Sequence, residues 1–154
     1  MVRKFKTRLL FLFLAGAFIT GLAANLHAQN GRLRTVTMLY DSLCSQQIEH
    51  PKTVLAIAIY ETGWMQCKSC ALEHNNLFGF RTNSDFLKFN DIYESIRYLK
   101  RWQTRYYYPW KLKHPEGTYY EYLKYIGYCD NMDSYIKNIK SIEQWLTVNV
   151  EQIR

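Results

Sequence analysis

The first thirty of the 154 residues contain no Asp or Glu. That lack excludes an ordinary mixed-charge surface there and leaves the layout of an export signal. No cysteine sits near the end of the apolar run in this segment, which disfavours a lipid-anchored start. Farther on there is no internal repeat, low-complexity tract or interdomain linker, so the chain offers one compact domain and no array. His50, His74 and His114 lie far apart and show no ligand spacing, which leaves no metal site to expect, and no cofactor is implied.

What is present begins with Arg3, Lys4, Lys6 and Arg8, followed by LLFLFLAGAFITGLAA, Leu9 to Ala24. Ala23, Ala24 and Ala28 offer cleavage points, so residues 1–28 are expected to be a signal peptide, the alternative being an uncleaved anchor. The apolar run is a little short for a bilayer span of ~20 residues. The expected location is therefore outside the cytoplasm, in the periplasm or cell envelope, with no membrane contact after cleavage.

Removing the first thirty residues takes four of the twenty Lys and Arg and none of the thirteen Asp and Glu, so the net charge falls from +7 to +3. The basicity is mostly targeting. With scattered lysines and a small residual charge, nucleic acid is not an expected partner. A mild cationic balance fits an anionic polymer such as cell wall. Oligomeric state is not legible.

All four cysteines, Cys44, Cys67, Cys70 and Cys129, fall in the exported part, where thiols tend to be oxidised. Two disulfides are expected, and of the three pairings Cys67 with Cys70 plus Cys44 with Cys129 is favoured. A redox role for CKSC would need a strand and sheet context that is missing here.

Helical periodicity covers Arg32 to Gln47, with a stripe of Leu33, Val36, Leu39, Tyr40 and Leu43. HPKTVLAIAIYETG follows, with Pro51 in the first turn and Gly63 at the stop; being apolar nearly all round, this helix should run through the middle of the domain. FGFRTNSDFLKF reads as a small β-hairpin around a Thr-Asn-Ser-Asp turn. Asp91 with Glu94 opens a third helix toward Trp102; Pro109, Pro115 and Gly117 mark a long turn. Thr118 with Glu121 caps a helix to Ile126, and a last helix from Asp133 carries Ile136, Ile139, Ile142 and Leu146. The expected fold is mainly α with one small hairpin. The domain spans 32–146 and a C-terminal tail follows over 147–154.

The chemistry concentrates in IAIYETGWMQCKSCALEHNNLFGF, Ile57 to Phe80. A buried helix delivers Glu61 to the edge of the core, where low polarity raises a carboxyl pKa by disfavouring its charged form. Trp64, three residues on, can add to the apolar wall if the turn continues. Such an acid can protonate a glycosidic oxygen so that the sugar leaves as a neutral alcohol.

ETGW, then NNLFGF, then FNDIYESIRYLKRW, and finally YEYLKYIGYCDNMDSYIKNI form an ordered set. The set resembles the glucosaminidase family of peptidoglycan hydrolases, glycoside hydrolase family seventy-three, over about Arg32 to Trp145. The resemblance implies a lysozyme-like α domain that hydrolyses N-acetylglucosaminyl bonds in peptidoglycan glycan strands. It puts Glu61 in the place of the general acid and makes Asn75, Asn76 and Phe78 groove residues. Amides suit acetamido and hydroxyl groups, and a phenyl ring suits a sugar's apolar face. Tyr128 in GYCDN takes the place of the tyrosine in the family's Gly-Tyr-Ala motif, with Cys129 replacing the small residue.

The departure is the second carboxylate. An inverting mechanism would place a base roughly 6.5 to 9.5 Å from the acid. Asp85 in the short hairpin is the candidate; without it, the substrate's own acetamido group can assist, or the enzyme can be a lytic transglycosylase. A non-catalytic glycan-binding module is the reading from a different class.

Overall fold

The computed structural model describes residues 31–150, so the expected signal segment 1–28 lies outside the described residues. The chain divides into two units, Met1–Thr35 and Val36–Arg154. Of the first, residues 31–35 are described and are helical, with the Thr35 hydroxyl donating to the Gly31 carbonyl at 3.1 Å. The second unit holds the rest of this helix (α1, residues 31–45) and every other element. Its buried stripe is Val36, Leu39 and Leu43.

α2, Pro51–Glu61, obeys its composition: Thr53 to Ile59 are all buried, because a helix that is apolar all round satisfies itself only with neighbours on every side. Each buried Leu or Ile contributes roughly 2 kcal/mol. Thr62 ends the helix by folding its hydroxyl back onto the Ala58 carbonyl at 2.6 Å and accepting the Met65 N–H at 3.1 Å. Gly63, Trp64 and Met65 then follow in left-handed conformation, φ +52°, +61° and +61°. Only the glycine adopts it freely; each of the others costs roughly 1–2 kcal/mol. The Trp64 ring is held edge-on against Trp145, centroids 4.8 Å apart. The Cys67–Cys70 disulfide closes the loop beyond.

A single 3-10 turn, Ala71–His74, leads to the hairpin of β1, Arg81–Thr82, and β2, Asp85–Phe86, in antiparallel register with Arg81 opposite Phe86 and Thr82 opposite Asp85. α3, Ile92–Trp102, is capped by Asp91, whose Oδ1 accepts the Glu94 N–H at 2.6 Å; Glu94 reaches back one residue farther than a capping box requires, to the Asn90 N–H at 2.7 Å.

The long turn expected around Pro109 is not there. The helix continues through one wide turn, Gln103–Tyr107, into α4, Tyr108–Lys113, and the break falls at His114. Pro109 has no N–H to donate to the Arg105 carbonyl and its ring would collide with it. The preceding turn widens instead, with the Tyr108 N–H bonding the Gln103 carbonyl five residues back. Gln103 and Tyr107 turn inward and are buried, while Arg105 and Tyr106 face out.

α5, Tyr119–Tyr125, opens with a complete capping box of Thr118 and Glu121. α6, Met132–Asn149, is capped by Asn131 rather than by Asp133, and it runs past residue 146. It packs on α2, and its buried positions are Tyr135, Ile139 and Leu146. The stripe is therefore headed by Tyr135, with Ile136 only half-buried. Glu143 fastens the pair, its two oxygens accepting the Thr53 and Tyr120 hydroxyls, each at 2.5 Å.

Candidate active site

Glu61 is the last residue of α2 and half-buried. Burial pushes its carboxyl above the ordinary value, and a hydrogen bond from Tyr135 pulls part of the way back. The Tyr135 hydroxyl donates to Glu61 Oε1 at 2.9 Å. The other oxygen, Oε2, faces Gly79: a methyl group built on that glycine would stand 3.5 Å from it. With φ at +67°, Gly79 holds a conformation that side chains disfavour, and its bare backbone keeps the approach to the carboxyl open.

The wall around Gly79 is built by the two asparagines. Asn76 is fully buried, donates to the carbonyls of Phe80 at 2.8 Å and Leu87 at 3.0 Å, and accepts the Phe80 N–H at 3.0 Å. Asn75, left-handed at φ +55°, donates to the carbonyls of Phe89 at 2.9 Å and Asn90 at 3.1 Å. Both amides are engaged inside the protein, where they fix the turn that carries Phe78, Gly79 and Phe80.

These residues line a cleft of ≈ 480 Å³ that also takes in Glu61, Arg81, Phe86, Trp102, Ile126, Tyr128 and Cys129. Its aromatic faces suit the apolar faces of sugar rings, and Glu61 is the one carboxylate in the lining among the described residues. The Arg81 guanidinium lies over the Phe86 ring, 3.9 Å from its centroid, and donates to the Ser84 carbonyl at 2.8 Å. Asp85 is exposed on β2, outside the lining. Trp64, turned toward Trp145 by the left-handed turn, is outside it too.

Tyr128 donates to the Phe78 carbonyl at 3.1 Å, and its ring packs on that of Tyr135 with centroids 5.5 Å apart. Burial raises both phenol pKa values far above the ordinary one, and the nearby Glu61 charge adds to the shift. Both stay protonated. Sequence reasoning missed Tyr135, together with the lining residues Arg81, Phe86, Trp102 and Ile126. Tyr135 stands four and eleven residues before Ile139 and Leu146 on the buried face of α6, but Ile136, three and ten residues before them, shares that phase.

One expected disulfide forms and one does not. Cys67–Cys70 is bonded, whereas Cys44 and Cys129 are free thiols. The loop after α5 turns Cys129 into the Glu61 cleft, with its Sγ 3.4 Å from Met132 Sδ, while Cys44 is half-buried on α1. Among the described residues no group of three His, Cys, Asp or Glu side chains could hold a metal ion.

The family model described as "Glucosaminidase: Mannosyl-glycoprotein endo-beta-N-acetylglucosaminidase" matches residues 39–146. No curated protein and no solved structure matches the chain.

Proposed function

Since this chain belongs to the glucosaminidase family, and is thereby a peptidoglycan-cleaving glycoside hydrolase of the endo-β-N-acetylglucosaminidase type, we propose that Glu61 is its general acid, that it cuts β-1,4 N-acetylglucosaminyl bonds, and that it acts after export. The observation that carries the acid assignment is the environment of one carboxyl: it is raised by burial, bonded by a neutral phenol on one oxygen and open to an aromatic cleft on the other.

In this reading Glu61 gives its proton to the glycosidic oxygen, the bond from that oxygen to the anomeric carbon breaks, and the leaving strand departs as a neutral alcohol. The Tyr135 hydroxyl, already aimed at Oε1, stabilises the carboxylate as it forms. Because the acid must be protonated, activity falls as pH rises through the raised Glu61 pKa. Tyr128 and Asn76 act indirectly by holding Phe78 and Phe80 in the wall.

A second reading has a specific observation behind it. With Glu61 the one carboxylate lining the cleft, the attack on the anomeric carbon falls to a water assisted by the substrate's acetamido group, or to the sugar's own 6-hydroxyl, as in a lytic transglycosylase. Mass spectrometry of fragments released from purified peptidoglycan separates them. Reducing-end N-acetylglucosamine supports the hydrolase, and anhydro-muramic ends would replace it with the transglycosylase. Full clearing by Glu61→Gln would remove the acid assignment altogether.

A further inference from the structure

A second hollow, of ≈ 270 Å³, opens where the wide turn after α3 meets α4 and α5. It exists because Pro109 widens the helix upstream, which swings Arg105 and Tyr106 outward. Tyr106 is 47% exposed and Tyr125, on the facing side, 71%, so two aromatic rings stand in solvent around it. Arg105 and Lys113 are on the rim with His114, and among the described residues no carboxylate belongs to the lining. Arg105 rests against the Tyr106 ring, 5.3 Å from its centroid, and neither Arg105 nor Lys113 forms an ion pair among the described residues.

Two further observations give this hollow a direction and a vacancy in its bonding. Ile126 lines both it and the Glu61 cleft, and the Tyr106 ring lies 5.9 Å from that of Trp102 in the cleft wall, so the two depressions adjoin. Tyr122, also part of the lining, is 1% exposed, and its hydroxyl has no hydrogen-bond partner. An unpaired buried hydroxyl costs roughly 1–3 kcal/mol and calls for an explanation.

We propose that this hollow receives the carboxylate-bearing peptide attached to the glycan strand whose sugars occupy the Glu61 cleft. The inference rests on the peptidoglycan reading of that cleft. A neutral saccharide would gain from the rings but would leave two cations without a counterpart. An acidic peptide branching from the sugar chain satisfies both, with its carboxylates on Arg105 and Lys113 and its backbone against Tyr106 and Tyr125.

The test compares the wild type with the double variant Arg105→Ala, Lys113→Ala. Both positions are exposed, and circular dichroism checks the fold. Substrates are peptide-bearing strands and the same strands stripped of peptide by an amidase. The expected result is a wild-type preference for peptide-bearing strands that collapses about tenfold in the variant, through KM rather than kcat. A parallel titration in a Glu61→Gln background uses a soluble disaccharide-peptide and a peptide-free N-acetylglucosamine tetramer, and it does not depend on turnover. Equal weakening toward both probes would make the hollow a sugar subsite and overturn the proposal, as would weakening toward neither. Retained cleavage by Glu61→Gln would instead strike the acid assignment, leaving the titration to decide the hollow.

Discussion

The two walls of the Glu61 cleft are built by opposite rules. On one side, Glu61 is bonded by Tyr135, the Tyr135 ring packs on Tyr128, Tyr128 bonds the Phe78 carbonyl, and the backbone beneath is anchored by the buried Asn76. On the other, two strands of two residues each carry three exposed side chains and the half-buried Phe86, and Arg81 is held by a ring and a turn carbonyl of its own hairpin. The first wall holds the Glu61 carboxyl in place before any substrate arrives. The second is a light flap whose acidic residue, Asp85, stands outside the lining. The difference teaches where the buried hydrogen bonds of the cleft are concentrated: around Glu61, and away from Asp85.

The comparison breaks most readily at the donor. Replacing Glu61 by Gln is expected to lower release of reducing ends from peptidoglycan by about 10²–10⁴-fold, the usual contribution of a general acid, with the helical circular dichroism unchanged. The same variant should raise the thermal midpoint near neutral pH. A carboxyl whose folded pKa is raised adds stability below its ordinary value and loses it as pH rises through the folded one, so the gain should vanish in acid.

Next in size is the anchor. Asn76→Ala removes three hydrogen bonds and strands buried backbone groups, for an expected loss of about 3 kcal/mol in denaturant unfolding. Tyr135→Phe sharpens the comparison within the rigid wall, with kcat expected to fall about tenfold. Because the phenol's bond lowers the Glu61 pKa, its removal should also move the alkaline limb of the pH profile upward. The smallest effect is expected on the flap, where Asp85→Asn should change the rate by no more than about twofold. A loss of a hundredfold there would make the hairpin a second catalytic wall and end the asymmetry.

Local rules made much of the molecule readable. The all-round apolarity of Val54 to Ile59 placed α2 in the middle, the pairing of Thr118 with Glu121 located a helix start, and the run around Asn83 located the hairpin. Glu61 stood out because a buried helix cannot deliver a carboxylate to its end without shifting it. What escaped was phase and distance. Ile136 and Tyr135 differ by one position, and only the packing of α6 on α2 chooses which faces inward. Pro109 reads as a breaker unless the turn before it can widen, and the state of Cys44 and Cys129 depends on where two remote segments come to rest. The asparagines were legible as turn formers and as groove residues alike; their buried bonds show the first.

The bond between Glu61 and Tyr135 joins positions 74 residues apart, and the phenol arrives on the final helix. A chain still being synthesised therefore holds Glu61 without its mate. The setting of the acid is thus completed by the far end of the sequence, and a fragment lacking the last helix would lose both the phenol and the packing that holds α2.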